Sequence, residues 1–150
     1  MYEFVILSLG LISLFVLTSL GTTEAMTSAG ISSIMYCQKK SIITQAYVAI
    51  IMASTIFMYA LIIAMTIIFG VSSNSKNLVT AKALDYFQAC MLYGLCAYFG
   101  GKAMAQTCKY GFDALYKVPE FFLNFIMMMS GIEVVLIFGF IFALLLTRQT

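Results

Sequence analysis

A carboxylic acid inside a long apolar run is the feature that most constrains this chain. Ser130 to Leu146 reads SGIEVVLIFGFIFALLL, and Glu133 is its one charged residue. Such a run is typical of a membrane helix, where an acidic side chain at the centre costs about 2.5 to 3.5 kcal/mol and is by default functional. Hydrocarbon favours the neutral form of a carboxyl, and water or a cation favours the ionised form. Glu133 is therefore predicted to carry a proton; the alternative is a structural carboxyl that only holds helices together.

The composition predicts an all-α membrane protein, because 63% of the residues are hydrophobic and 9% are charged. Its length of 150 residues suits a single domain. A net charge of +2, from 8 basic and 6 acidic residues, offers no basic face, so the expected partner is the lipid bilayer and not nucleic acid. The chain has no His, its four cysteines have no CxxC spacing, and no GxxxxGK[ST] motif occurs. We therefore expect no metal, no cofactor, no nucleotide site and no catalytic site in this chain.

Apolar runs and their breakers predict four transmembrane helices, at about 2–36, 42–70, 78–115 and 119–147. The first and third are longer than a hydrocarbon core of about 30 Å, so they should project beyond it. The most loop-like stretch is VSSNSKN at 71–77. Pro119 is preorganised for the first position of the fourth helix, and Glu120 suits the positive end of its dipole.

The two halves of the chain resemble each other, which predicts a duplicated helical hairpin, 1–75 and 76–150. EAM at 24–26 aligns with KAM at 102–104, and MYALIIA at 58–64 aligns with IFGFIFA at 137–143. In the second alignment Glu133 falls on Ser54, so one acid remains per four helices.

Small residues let membrane helices approach closely, and the stretch TSLGTTEAMTSAG in the first helix is rich in them. The glycines expected at helix contacts are Gly21, Gly30, Gly94, Gly101 and Gly111.

Two charged residues, Glu24 and Lys102, lie at similar depths in the first and third helices. They are predicted either to form an ion pair or to remain solvated near one mouth of an assembly. A second ion-binding site is the remaining interpretation.

The distribution of basic residues predicts the orientation. Four spans put both termini on one side. Four lysines lie in or near the turns before the second and fourth helices: Lys39, Lys40, Lys109 and Lys117. The terminal side has three basic residues: Lys76, Lys82 and Arg148. These two turns are therefore expected in the cytosol and the termini in the lumen.

Four features together resemble the proteolipid c subunit of the vacuolar-type (V-type) rotary ATPase, over nearly the whole chain. They are TSLGTTEAMTSAG, VAIIMASTIFMYALII, Pro119 placed about four helical turns before the acid, and IEVVLIFGFIFALLL, which is similar to the family's AEVLGLYGLIVALLL. The chain is identified as a divergent member, because Tyr93, Cys96, Tyr98 and Lys102 stand in a helix that is glycine-rich in the family. The ordinary c subunit and its four-helix paralogue fit equally well.

The resemblance implies a rotor ring with the first and third helices inside and the second and fourth outside. Glu133 would be the proton-carrying carboxylate on the rim, and Tyr59 matches the family tyrosine beside it. Thr55, one turn before Tyr59 on the same face, is a second candidate partner of the acid, or else bonds back to its own helix. Ser54 is a third. With so few oxygen ligands, the proton is favoured over sodium as the cargo.

The resemblance also implies partners and a location. The partners are other copies and paralogues in the ring, an a subunit that supplies an arginine, and a d subunit and central stalk on the cytosolic face. The location is a vacuolar or other acidic endomembrane.

Two other classes of protein are alternatives for this sequence. A small membrane-bound transferase that uses glutathione would need basic residues to hold its anionic thiol, and the chain has one arginine, Arg148. A structural tetraspan proteolipid would keep Glu133 locked in a hydrogen bond. The variant Glu133→Gln separates this interpretation from a carrier, because a structural role should tolerate the near-isostere.

Overall fold

The computed structural model describes residues 2–73 and 80–148, and within them the chain forms four α-helices and no strand. The helices are α1 (Tyr2–Met35), α2 (Lys40–Ser73), α3 (Thr80–Lys117) and α4 (Phe122–Arg148). The prediction of an all-α chain with four helices is confirmed. Residues 71–73 of the predicted loop continue α2, and 74–77 lie outside the described residues.

Within the described ranges, three helical segments are long and apolar enough to cross a membrane: Tyr2–Met35, Lys40–Ser72 and Pro119–Arg148. The fourth, α3, is the longest helix at 38 residues but is less apolar. Its buried positions include Tyr93, Gly94, Ala97 and Gly101. A helix surrounded by other helices needs less apolar surface than one that faces lipid, so the lower hydropathy of α3 agrees with its packing.

The helices form two layers, α1 with α3 and α2 with α4. The most extensive packing joins α1 to α3, and α3 also packs on α4 and α2. Among the described residues α1 and α4 do not pack on each other. Alanines at 46, 49, 53, 60 and 64 line the buried face of α2, together with isoleucines at 42, 56, 63 and 67.

Glycines set how closely α1 and α3 cross. A Cβ at Gly101 would fall on the backbone of Gly21, and a Cβ at Gly21 would lie 2.5 Å from the carbonyl oxygen of Ala97. Backbone therefore meets backbone here, which no larger residue permits. Gly94 lies against Leu17, and Gly111 lies against the Phe125 ring of α4.

Within each layer, the described side-chain hydrogen bonds between the two helices and their adjoining turns join residues 77 or 78 positions apart. Thr80 donates to Glu3 at one end of the bundle, Ser28 donates to the carbonyl of Ala105 further along, and Tyr36 donates to Asp113 near the other end. Thr55 on α2 and Glu133 on α4 show the same spacing. Each layer is thus a parallel, in-register pair of helices, one from each half of the chain.

The turn after α1 is fastened to the last turns of α3. The Tyr36 hydroxyl donates to Asp113 Oδ1 at 3.0 Å, Lys117 pairs with Asp113 Oδ2 at 2.8 Å, and Lys39 donates to the carbonyl of Tyr116 at 2.6 Å. The Lys117 and Tyr36 donors lower the pKa of Asp113, and the same hydrogen bonds raise the pKa values of Lys117 and Tyr36. We call Tyr36, Lys39, Asp113, Tyr116 and Lys117 the turn clasp.

A candidate carboxylate site between α2 and α4

The fourth helix places its acid near its midpoint. Val118 is extended, as the residue before a proline must be, and Pro119–Phe121 forms a 3-10 turn that leads into α4. The buried stripe of α4 runs through Phe125, Met129, Leu136, Gly139 and Ala143. Glu133 follows Met129 by one turn and is half-buried, at the edge of this stripe. The next two residues, Val134 and Val135, are exposed. Glu133 therefore lies where the α2–α4 contact opens to the outside.

Thr55 of α2 is the hydrogen-bond partner of this carboxyl. Its Oγ1 lies 3.2 Å from Glu133 Oε1 and 2.7 Å from the backbone carbonyl oxygen of Met52. Both sequence interpretations of Thr55 are thus present together, the contact with the acid and the bond back to its own helix.

The hydroxyl of Thr55 has a single hydrogen to donate. When that hydrogen goes to the nearer oxygen, on Met52, the lone pairs of Oγ1 face Glu133. A protonated Glu133 can then donate to Thr55, and both groups are satisfied. An ionised Glu133 accepts that hydrogen instead, and the Met52 carbonyl keeps its bond within the helix, so Thr55 can partner either form of the carboxyl.

Ser54 and Tyr59 lie on the same stretch of α2 with different contacts. The Ser54 hydroxyl donates to the carbonyl of Ile51 at 2.7 Å, and no hydrogen bond joins it to Glu133 within the described part of the chain. The Tyr59 ring lies against Phe140 of α4, with centroids 5.1 Å apart. Tyr59 therefore contacts the site through its ring, and its hydroxyl makes no described hydrogen bond to the acid.

Sequence reasoning missed Tyr93 as a part of this site. Tyr93 of α3 is fully buried, and its hydroxyl donates to the carbonyl of Ile56, the residue after Thr55, at 2.8 Å. Its ring meets Phe140 edge-on at 6.4 Å. The available signal was a large polar aromatic among the small residues of α3.

Glu24 and Lys102 are both exposed and line one hollow on the α1–α3 face, together with Thr23, Thr27 and Tyr98. They form no ion pair within 4.0 Å; the described residues contain one salt bridge, in the turn clasp. The Lys102 ammonium instead lies 4.6 Å from the centre of the Tyr98 ring. The structure thus brings the two charges to one surface without joining them directly.

Gly30 does not contribute to packing inside one chain, because a Cβ there would meet nothing within 4 Å. The expectation of a helix contact at Gly30 therefore does not hold within the chain. No group of three His, Cys, Asp or Glu residues that could hold a metal occurs within 2–73 and 80–148.

Comparison with known proteins gives one family and a group of relatives. Residues 87–146, which include Tyr93 and Glu133, match the family model of the ATP synthase C subunit. The chain is 29% identical over 140 residues to the 16 kDa proteolipid c subunit of the V-type proton ATPase of Ascaris suum, over 92% of this chain and 86% of the relative. The c 2 and c 3 forms of the same 16 kDa proteolipid in Caenorhabditis elegans match with the same identity and coverage.

Proposed function

We propose that this chain, which is similar to the V-type ATPase proteolipid c subunits, is a proton-carrying subunit of a rotor ring. In this proposal Glu133 binds and releases one proton per cycle at the middle of the membrane. Rotation of the ring couples this proton movement to ATP hydrolysis in another part of the complex.

The observation that carries the proposal is the position of Glu133. It lies about four helical turns after Pro119 and about four before Arg148, near the midpoint of a segment able to cross the membrane. It is half-buried, and the Thr55 hydroxyl lies within hydrogen-bond distance of its Oε1. A neutral, hydrogen-bonded carboxyl crosses hydrocarbon at a much lower cost than an ionised one.

The ionised form needs a positively charged partner, and the described residues bring none within 4.0 Å of Glu133. Tyr59 is the titratable side chain that interacts with Glu133, and it supplies no positive charge. The proposed partner is an arginine of an a subunit, which would favour release of the proton by pairing with the carboxylate. A d subunit and central stalk are the proposed partners on the cytosolic face.

Other parts of the proposal concern the ring and its orientation. The in-register pairs at a spacing of 77 to 78 residues support a duplicated hairpin, 1–75 and 76–150. The exposed apolar residues of α2 and α4, such as Ile51, Val135 and Phe138, provide surface for lipid and for neighbouring copies or paralogues. The termini are proposed to be lumenal in an acidic endomembrane, with the turn clasp cytosolic.

The test is labelling with a hydrophobic carbodiimide across a pH series, in native membranes, with the adduct located by mass spectrometry. A protonated carboxyl in an apolar setting reacts readily, so we expect an adduct on Glu133 that declines as the pH rises. Labelling should inhibit ATP-driven acidification.

Glu133→Gln is the matched variant, because it keeps the size and one carbonyl oxygen of the side chain while removing the titratable proton. We expect this variant to assemble and to lose acidification entirely. Normal acidification by Glu133→Gln would favour the structural proteolipid instead. Labelling that sodium suppresses at constant pH would favour sodium as the cargo.

A further inference from the structure

We propose that Tyr93 is a positioning residue that holds the α2 segment bearing Thr55 at the correct distance from Glu133. The inference rests on the proposed function, because it assigns Tyr93 a part in setting the proton affinity of Glu133.

Tyr93 contacts both helices of the site from the third. Its hydroxyl donates to the Ile56 carbonyl of α2 at 2.8 Å, directly after Thr55 in the chain. Its ring meets Phe140 of α4 at 6.4 Å, and Phe140 follows Glu133 by two turns. One side chain of α3 thus links the helix that carries the acid to the helix that carries its hydrogen-bond partner.

The Tyr93 hydrogen bond is an addition to the regular helix. A backbone carbonyl in an α-helix already accepts from the amide four residues later, and its second lone pair is free for another donor. Tyr93 uses that lone pair in a fully buried position. The bond therefore fixes the height and rotation of the turn that carries Thr55, and its loss leaves no backbone group unpaired.

Aromatic contacts between α2, α3 and α4 also hold the α2 segment in place. Tyr59 lies one turn after Thr55 and its ring is 5.1 Å from Phe140, so Tyr59, Phe140 and Tyr93 form one cluster beneath the carboxyl. The Thr55–Glu133 distance of 3.2 Å is long for a hydrogen bond between oxygens. A small shift of α2 is therefore enough to break it.

The experiment compares Tyr93→Phe with Tyr110→Phe by the pH dependence of carbodiimide labelling at Glu133. Tyr110 is the control, because it lies on the same helix, is 71% exposed and loses the same hydroxyl. Tyr59 of α2 is the titratable group that interacts with Glu133, and Tyr93 and Cys96 of α3 lie behind it. Tyr93→Phe removes one neutral hydroxyl from this group, and neither variant adds a charge.

In Tyr93→Phe the carboxylate loses the Thr55 hydroxyl as a hydrogen-bond donor. Because a donor favours the ionised form, we expect the midpoint of the labelling curve to move to higher pH by about 0.3 unit or more, a two-fold gain of proton affinity. Tyr110→Phe should follow the wild-type curve. In a Thr55→Val background, Tyr93→Phe should give no further shift, because the Thr55 hydroxyl is already absent.

The outcomes are distinguishable from those of the proposed function. No pH-dependent adduct on wild-type Glu133 overturns the proposed function. A normal wild-type curve with an unchanged Tyr93→Phe curve overturns the positioning role alone, as does an equal shift in both backgrounds. If Tyr93→Phe does not fold, Phe140→Leu removes the other contact of the ring; its shift supports the role and its absence overturns it.

Discussion

The crossing of α1 and α3 gives the most quantitative prediction, the effect of Gly101→Ala. The new Cβ would lie 2.6 Å from Gly21 Cα and closer still to the Gly21 carbonyl group. Ordinary contacts begin near 3.4 Å, and neither partner is a side chain that can rotate away. The two helices must therefore separate by about 1 Å.

This separation has two costs. Overpacking of a well-packed contact costs about 1 to 3 kcal/mol. The hydrogen bond from Ser28 to the Ala105 carbonyl, one turn further along, is 2.8 Å long. A further separation of about 1 Å breaks this bond, which costs about 0.5 to 1.5 kcal/mol of stability. The variant should be destabilised by about 2 to 4 kcal/mol, which lowers the midpoint of thermal unfolding by about 5 to 15 °C for a chain of this size.

The assay is thermal unfolding of the purified chain in detergent, followed by circular dichroism. Gly30→Ala is the matched control, because its Cβ meets nothing within 4 Å and alanine is the better helix former. The control should unfold at the wild-type temperature or slightly above it. If Gly101→Ala has the same unfolding midpoint as the control, the helices do not cross at Gly21 and Gly101, and the reasoning is refuted.

Three further predictions concern other contacts. Gly111→Ala should destabilise less than Gly101→Ala, by about 1 kcal/mol, because the Phe125 ring it meets can move; the same unfolding assay checks this. The pKa of Asp113 is lowered from its usual 3.8, so its contribution to stability is present above about pH 4 and declines as the pH falls through the lower folded value. Unfolding scans between about pH 2 and 6 should show that Asp113→Asn removes this part of the acid sensitivity. Lys102→Met should leave the unfolding temperature of the isolated chain unchanged, since Lys102 makes no ion pair there. A clear decrease in that temperature would contradict this and support an ion pair between Lys102 and Glu24.

The helices and the acid were predictable because their signals are local. Apolar run length, Pro119 and the loop-like stretch depend on neighbouring residues, and the helix ends agree to within about three residues. The place of Glu133 near the middle of α4 followed by counting. Thr55 was found because its spacing from Tyr59 is one helical turn.

The remaining features depend on how helices rotate against each other. Helical spacing alone did not reveal that Ser54 turns its hydroxyl back to Ile51 while Thr55 faces Glu133. Similar depth did not bring Glu24 and Lys102 into contact, since both side chains point outward from the crossing. The role of Tyr93 required knowing that α3 packs against α2 as well as α1.

The constant spacing of contacts has a consequence for biosynthesis. The main packing partner of α1 is α3, so the glycine face of α1 has nothing to pack against until about 77 more residues are made. At about 5 to 20 residues per second, that delay is about 4 to 15 s. During this interval the first hairpin sits in the membrane with its closest-packing surface open to lipid. A ribosome that stalls after α2 should therefore leave an unpaired hairpin that membrane quality control can recognise and remove.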